Sequence, residues 1–477
     1  METETFEELI ETRMKRFDML IDRANFTHNW WQRQGVEWCL RNELRENPPF
    51  GVRGGIIADE MGLGKTIQTI GLMFTNFLQR TLIIVPPVLI EQWSTEIYKS
   101  TGHRVLMYHN NLKFISIEVL ANSPVVLTTY KTISSSKSLI HKLEWSRIIY
   151  DEAHHLRNSE TERYKMCKRI KTKSRWLITG TPVQNGKQDF YNLCAFAKMP
   201  DELYTNEKNK NILHNNFILR RTKTQVGIQL PKLFEETIPI NWKNSNEKAL
   251  AEEIHALIPN QSGVSKDKRK KLAETFGKGG ILTGLLRAKQ SCILPRLMQK
   301  NIEMFENLGF DATQYLDALQ FSSKIDTVID YIKERKDNGK GKIIFCHYTE
   351  EIDEVAKRLK EIGMQNVKTY DGRNSGPNIL RTLSEPSDAL VLQIQTGSEG
   401  LNLQEHYSEI YFIAPHWNPA IEDQAIARCH RIGQKNPVDI FKFGMNGFTE
   451  NDISFEIYVT KKQKVKRAES IEILQKQ

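Results

Sequence analysis

The sequence predicts an α/β protein built from two tandem parallel-sheet lobes with a helical insertion and hinge between them. Two sets of short apolar runs rich in β-branched residues, helical stretches within each set, and a charged, strand-poor stretch between the sets carry that prediction. The first set is GGIIAD (54–59), LIIVPP (82–87), VVLTTY (125–130), RIIYDE (147–152) and WLITGT (176–181). The second is KIIFC (342–346), VKTYDG (367–372), ALVLQ (389–393), EIYFIA (409–414) and DIFKF (439–443). Runs that are apolar throughout suit strands covered on both faces, and helices between them make βαβ units with parallel strands. The stretch at 201–322 reads as helical and highly charged, broken at Gly277, Gly279 and Gly280. The expected organisation is an N-terminal extension (1–26), a first lobe (27–200), this insertion and linker (201–322), a second lobe (323–460) and a basic tail (461–477). No short-period repeat, low-complexity tract or appended reader domain is evident.

Composition bounds the function. A chain of 477 residues with 39% apolar and 26% charged residues has a soluble globular make-up. No run approaches the ~18 apolar residues of a membrane span, and two prolines interrupt the longest candidate, Leu82 to Ile90. The start, METETFEELIETRMKRF, is acidic and lacks a signal peptide's apolar core. The expected location is therefore nuclear or cytoplasmic, neither secreted nor in a membrane. Six scattered cysteines without a Cys-x-x-Cys pair argue against a zinc module or a disulfide framework. A net charge of +9 and pI near 9.0 favour a polyanionic partner, because lysines and arginines that neutralise phosphates release counterions. The runs KDKRKK (266–271) and KKQKVKR (461–467) fit solvated faces or tails, and equally an import signal.

ADEMGLGKT (58–66) follows a strand and precedes the helical run IQTIGLMFTNFL. Such a loop, here Asp59, Glu60, Met61, Gly62, Leu63 and Gly64, turns backbone N–H groups toward phosphates at a helix N-terminus. Lys65 can then meet the β and γ phosphates, and Thr66 can ligate Mg²⁺. The usual pattern has Gly where this chain has Asp59. In IIYDEAHHLRN (148–158) an apolar strand ends in two carboxylates. Asp151 can hold Mg²⁺ through water, and Glu152 can polarise the water that attacks a γ-phosphate. His154 is assigned coupling rather than proton transfer. Within QAIARCHRIGQ (424–434), Arg428 and Arg431 are one helical turn apart on one helix face. Standing so far beyond Lys65, they reach its nucleotide only if a second domain folds back over the first. Alone, the same spacing fits a surface ion pair.

The order of these blocks resembles helicase superfamily two, specifically the SWI/SNF-like ATPases that move along duplex DNA. WWQRQGVEWCL (30–40), DEMGLGKT, LIIVPPVLIEQW, VVLTTYKTI, DEAHHLRN, LITGTPVQN, FILRRTKTQV (217–226), LLRAKQSCILPRLM (285–298), TGSEGLNL (396–403), PHWNP and QAIARCHRIGQ follow in the family's order. The resemblance covers about residues 27–460 and implies RecA-like lobes, a Walker A loop, a DEAH box, and ATP with Mg²⁺. It places Gln32 on adenine, Lys65 and Thr66 on phosphates and metal, Asp151 and Glu152 on metal and water, and Arg428 and Arg431 on the γ-phosphate. Thr179, Gly180, Thr181 and Gln424 join His154 in coupling. DNA contacts are implied around Pro86, Thr128, Thr129, His347, Tyr348, Thr396 and Asn402, from backbone amides and hydroxyls, with Trp417 near the groove. Ser398 and Glu399 depart from the small residues usual in the family. The brevity of the chain fits a viral member as well as a cellular one.

The leading expectation is a monomeric, sequence-nonspecific duplex DNA translocase that remodels or displaces bound protein, with nucleosomes or RNA polymerase among its candidate obstacles. A strand-separating DEAH helicase is the second class, and a transcription-associated NTPase is a further alternative. The short stretch between Leu403 and Gln424 leaves little room for a strand-separating wedge. A silent scaffold that only binds ATP or DNA is disfavoured by the intact set of Lys65, Glu152 and Arg428.

Overall fold

The computed structural model describes residues 5–474, apart from 110–114, 136–137, 256–279, 302–315, 374–381, 384, 398–399 and 449–453. Two compact units emerge, Met1–Gln229 with Lys466–Gln477, and Leu230–Val465.

The first unit holds seven strands, β1 (Gly54–Ile57), β2 (Thr81–Val85), β3 (Leu106–Tyr108), β4 (Val125–Thr129), β5 (Glu144–Asp151), β6 (Lys171–Ile178) and β7 (Ile218–Leu219). They form one parallel sheet in the order β3-β4-β2-β5-β6-β1-β7. All five expected runs are strands, and the two additional ones are short edge strands. Successive strand residues alternate between sheet faces, and here both faces are core. Ile56, Ile84, Ile148, Tyr150 and Leu177 pack on one side, and Ile57, Ile83, Ile149, Trp176 and Ile178 on the other. This double burial is why the runs read as continuously apolar.

The helix Phe6–Arg23, expected as an extension, is part of this unit. A Thr5–Glu8 capping box starts it, and Ile10, Met14, Phe17 and Ile21 recur at helical spacing to join the second of those cores. Phe17 presses on the helix Lys65–Thr75 at Gly71, where an added Cβ would lie 2.6 Å from the ring. The helix Lys65–Thr75 is thus backed by the N-terminal helix.

The second unit holds β8 (Leu233–Ile240), β9 (Gly341–Cys346), β10 (Val367–Tyr370), β11 (Ala389–Gln393), β12 (Tyr407–Phe412) and β13 (Val438–Met445). Its parallel sheet runs β10-β11-β9-β12-β13-β8, again with all five expected runs as strands. β8 corrects the expected all-helical insertion. It pairs along β13 from Leu233 opposite Val438 to Ile240 opposite Met445. As an exposed edge strand with Glu235 and Glu236 in its middle, LFEETIPI lacks the apolar signature of a central strand. Helices Ser245–His255 and Gly280–Ile293 follow. The KDKRKK run, Gly277 and Gly279 lie outside the described residues.

The expected basic tail is helical. It continues the helix Phe455–Leu474, whose residues to Val465 belong to the second unit and from Lys466 to the first. There Ile473 enters the core, and its carbonyl accepts from His214 Nε2 at 3.1 Å. All six cysteines are free and buried. Among the described residues no helix is long and apolar enough to cross a membrane.

Candidate functional site

Parallel strands end on a common edge, and β5, β6 and β1 are neighbours there. Asp151 is opposite Ile178, which is opposite Ile57, so the three following loops leave the sheet side by side.

The loop after β1 turns through Gly62 (φ 92°) and Gly64 (φ 78°), left-handed conformations that glycine adopts without strain. A Cβ at Gly64 would also meet Gln32 Nε2 at 2.2 Å. Trp31 Nε1 and Gln32 Nε2 both donate to the Leu63 carbonyl, at 3.1 and 3.3 Å. The helix Lys65–Thr75 begins immediately after, and the N–H groups of its first turn have no acceptor within the helix. Lys65 Nζ folds back to the carbonyls of Asp59 and Glu60, at 2.7 and 3.3 Å. Burial lowers its pKa, opposed first by the Glu152 carboxylate. Gly180, after β6, allows the close approach of Met61, since an added Cβ would lie 2.7 Å from Met61 Cγ and 3.3 Å from Lys65 Nζ.

Asp59, the departure from the usual loop pattern, is fully buried and anchors the loop. Its carboxylate accepts from Arg221 NH2 (2.5 Å), Arg221 Nε (3.1 Å), the Arg221 amide (3.0 Å) and Gln68 Nε2 (3.0 Å). Arg221 also donates to the Trp31 carbonyl and to Gln68 Oε1. Gly35 makes room for this knot, for a Cβ there would sit 1.9 Å from Gln68 Oε1. The surrounding segment laces the loop further. Ala58 and Glu60 amides donate to the Leu219 and Arg221 carbonyls, Arg220 donates to the Ala58 carbonyl, and the Lys223 amide donates to Glu60. Arg220, Arg221 and Lys223 carried no assigned role in the sequence reading. The only hint was two consecutive arginines in FILRRTKTQV.

At the end of β5, Asp151 is buried and accepts from Trp93 Nε1 (2.7 Å) and the Glu152 amide (3.0 Å). Burial and the adjacent Glu152 charge raise its pKa to about 7. Glu152 adopts φ 48°, ψ 49°, a left-handed conformation costly for a non-glycine residue, on the order of 1–3 kcal/mol. It brings the Glu152 carboxylate to His154 Nδ1 (3.2 Å). The same nitrogen lies 3.4 Å from Thr179 Oγ1, which accepts from the Thr181 amide at 3.1 Å. Glu152, His154, Thr179 and Thr181 thus form one polar chain. The Thr179 amide ties it to β1 through the Ile57 carbonyl.

Other expected site residues are placed differently. Pro86, Thr128 and Thr129 are buried, with the Thr128 hydroxyl donating to the Tyr108 carbonyl and the Thr129 hydroxyl capping Thr132, so both hydroxyls are engaged inside the first unit. In the second unit His347 Nδ1 accepts from Lys289, His347 Nε2 meets the Ala414 carbonyl, and the amides of His347 and Tyr348 donate to Glu351. Thr396 donates to Gln393, Gln424 is buried and Trp417 is 40% exposed. Ser398 and Glu399 lie outside the described residues. The helix expected to carry both arginines, Pro419–Ile426, ends before them. The Leu403 amide takes the Arg428 carbonyl, and Cys429 Sγ and Gln434 Nε2 bond the Tyr407 carbonyl, which turns the chain back onto β12. Arg431 donates to Asn402, and burial followed by the Arg428 charge lowers its pKa to about 10.

The SNF2-related domain matches residues 31–297, more than half of the chain, and the helicase conserved C-terminal domain matches 323–433. The chain belongs to the SNF2-related family. It carries the two domains of a helicase-type ATP hydrolase. It is 26% identical over 460 residues to a probable global transactivator of Orgyia pseudotsugata multicapsid polyhedrosis virus, covering 91% of this chain and 88% of that protein. It is 28% identical to the ISWI chromatin-remodeling complex ATPase ISW2 of Saccharomyces cerevisiae, covering 91% of this chain and 40% of that protein. The chain spans about two fifths of the length of several curated relatives it matches. Among solved structures, the Sulfolobus solfataricus SWI2/SNF2 ATPase core in complex with dsDNA aligns with a TM-score of 0.39 at 25% identity, covering 94% of this chain and 96% of that one. The SNF2-related match begins at Trp31 and takes in the glycine loop after β1, the Asp151–Glu152 pair and the Arg220–Lys223 segment.

Arg221→Met should leave Asp59 buried and uncompensated, costing about 3–5 kcal/mol in denaturant unfolding. Adding Asp59→Leu should recover most of that stability without restoring nucleotide affinity, measured with a fluorescent ATP analogue.

Proposed function

We propose that this chain is an ATP-driven translocase on double-stranded DNA that remodels or displaces protein–DNA complexes without necessarily unwinding the duplex. The reading rests first on the convergence of Lys65, Asp151, Glu152 and the His154–Thr179 chain at one sheet edge in an SNF2-related protein. The net charge of +9 supports a polyanionic track. So do relatives named for chromatin remodelling and DNA binding.

In this mechanism Lys65 exchanges the Asp59 and Glu60 carbonyls for phosphate oxygens, and Gln32 leaves the Leu63 carbonyl for adenine. The donor set suits Mg²⁺. The adjacent carboxylates of Asp151 and Glu152 lie within electrostatic reach of Lys65, the neighbour of the Thr66 hydroxyl, where burial and the Glu152 charge raise Asp151 to about 7. When bound, the ion offsets phosphate charge. Glu152 orients and polarises the attacking water, with its carboxylate held by His154. A change at Glu152 then passes through His154 to Thr179 and Thr181. Arg428 and Arg431, from the helicase C-terminal domain, stabilise the charge of the transition state, a role worth on the order of 10³-fold in rate. Cycles of closure and opening move the motor along the backbone. Contacts to phosphate carry no sequence information, so nucleosomes, RNA polymerase and other bound proteins are all candidate obstacles.

Glu152→Gln should bind ATP normally and lose turnover by about 10²-fold or more, because the metal ligand remains while water activation is lost. Wild-type hydrolysis in that variant would sink the assignment. Arg431→Ala should keep ATP affinity within a few fold yet hydrolyse about 10³-fold more slowly with duplex DNA present. Full activity there would remove the arginine from the reaction.

A further inference from the structure

We propose that the outer face of the helix Phe455–Leu474 around Tyr458, Lys461 and Lys462, together with Trp417, forms a duplex-DNA backbone contact surface on the second unit. It rests on the translocase reading above. Helix and loop are fastened together first. Gln463 Nε2 donates to the His416 carbonyl (2.5 Å) and to Glu422 Oε1 (2.7 Å), and Glu422 also accepts from the His416 amide (2.8 Å). Lower on the helix, Glu456 pairs with Lys324 inside the unit. Burial of Glu456, Val459 and Gln463 leaves the opposite stripe, 458, 461, 462 and 465, facing outward at one-turn spacing.

On that stripe the Tyr458 ring lies 6.2 Å from the Trp417 ring, and Lys462 Nζ lies 5.6 Å over Tyr458. The lysine stem packs on the aromatic while its ammonium stays outside. Elsewhere in this unit some lysines are paired, as in Lys340–Asp439, Lys368–Glu385 and Lys442–Glu235, while among the described residues exposed Lys333, Lys360 and Lys435 have no salt bridge. Among the described residues, exposed Lys461, Lys462 and Lys464 have no such ion pair. Lys461 and Lys464, one turn apart, repel each other at a cost to the helix. A phosphate track relieves that repulsion and gains further, since each neutralised phosphate releases counterions. Trp417 and Tyr458 add apolar area for the sugar edge beside the phosphates.

The test compares the full-length wild type with a Lys461→Ala/Lys462→Ala variant and with Tyr458→Ala, in duplex-stimulated ATPase and in duplex anisotropy over a salt series. For the double variant, half-saturating duplex should rise about threefold to tenfold, and the slope of log affinity against log salt should fall by about 2. Tyr458→Ala should weaken binding with the slope retained. DNA-free ATPase should stay at the wild-type level in both. If the wild type responds to duplex and the double variant responds equally, with the same salt slope, this surface is wrong while the translocase reading stands. A wild type that ignores duplex overturns both. Anionic vesicles that compete for this face of the wild type, with duplex affinity unchanged in the double variant, would assign it to membranes instead.

Discussion

A buried ion pair, Asp59 with Arg221, shapes the glycine loop between β1 and the helix Lys65–Thr75. One carboxylate gathers the guanidinium, a backbone amide and Gln68, while the same arginine reaches the Trp31 carbonyl. The helix that carries Trp31 and Gln32, the loop itself and the segment leaving β7 are therefore joined at one charge pair. Two buried ions without each other would each cost several kcal/mol, so none of these parts moves independently. The chain enters the second unit at Leu230, shortly after the laced segment.

The carboxylate end of the site is under strain of a different sort. Glu152 holds a backbone conformation that costs energy, and Asp151 is crowded by a neighbouring charge in a buried place. Both are stabilised by directed hydrogen bonds, from Trp93 to Asp151 and between His154 and Glu152. Strain of this kind persists where the surroundings over-determine it. It sets the Glu152 carboxylate at the head of a polar chain that runs through His154 to Thr179.

Nine of the ten expected strands lie inside their sheets and were legible because both sheet faces are apolar, so burial wrote itself into apolar runs, while the tenth, β10, is an edge strand. β8 was not legible, because one exposed edge needs only backbone pairing and tolerates Glu235 and Glu236. The glycine turn and the helix after it were legible from Gly64, Lys65 and Thr66, whereas Asp59 read as a departure until Arg221, distant in sequence, supplied its partner. Spacing alone put Arg428 and Arg431 on a helix. Tertiary bonds to Leu403 and Tyr407 turn the chain instead. Thr128 and Thr129 were expected among the DNA contacts, but a polar side chain at the end of a buried strand is often claimed by the nearest backbone. The basic run after Lys461 read as a tail because its charge hides the few positions, Gln463 and Ile473, that bind it down.

The central claim is that ATP hydrolysis by this chain is driven by an intact duplex. Steady-state ATPase measured with blunt double-stranded DNA, single-stranded DNA and RNA tests it most directly. Strong stimulation by blunt duplex, with little from the single strands, is the predicted result. Stimulation by single-stranded DNA or RNA with none from blunt duplex would contradict it.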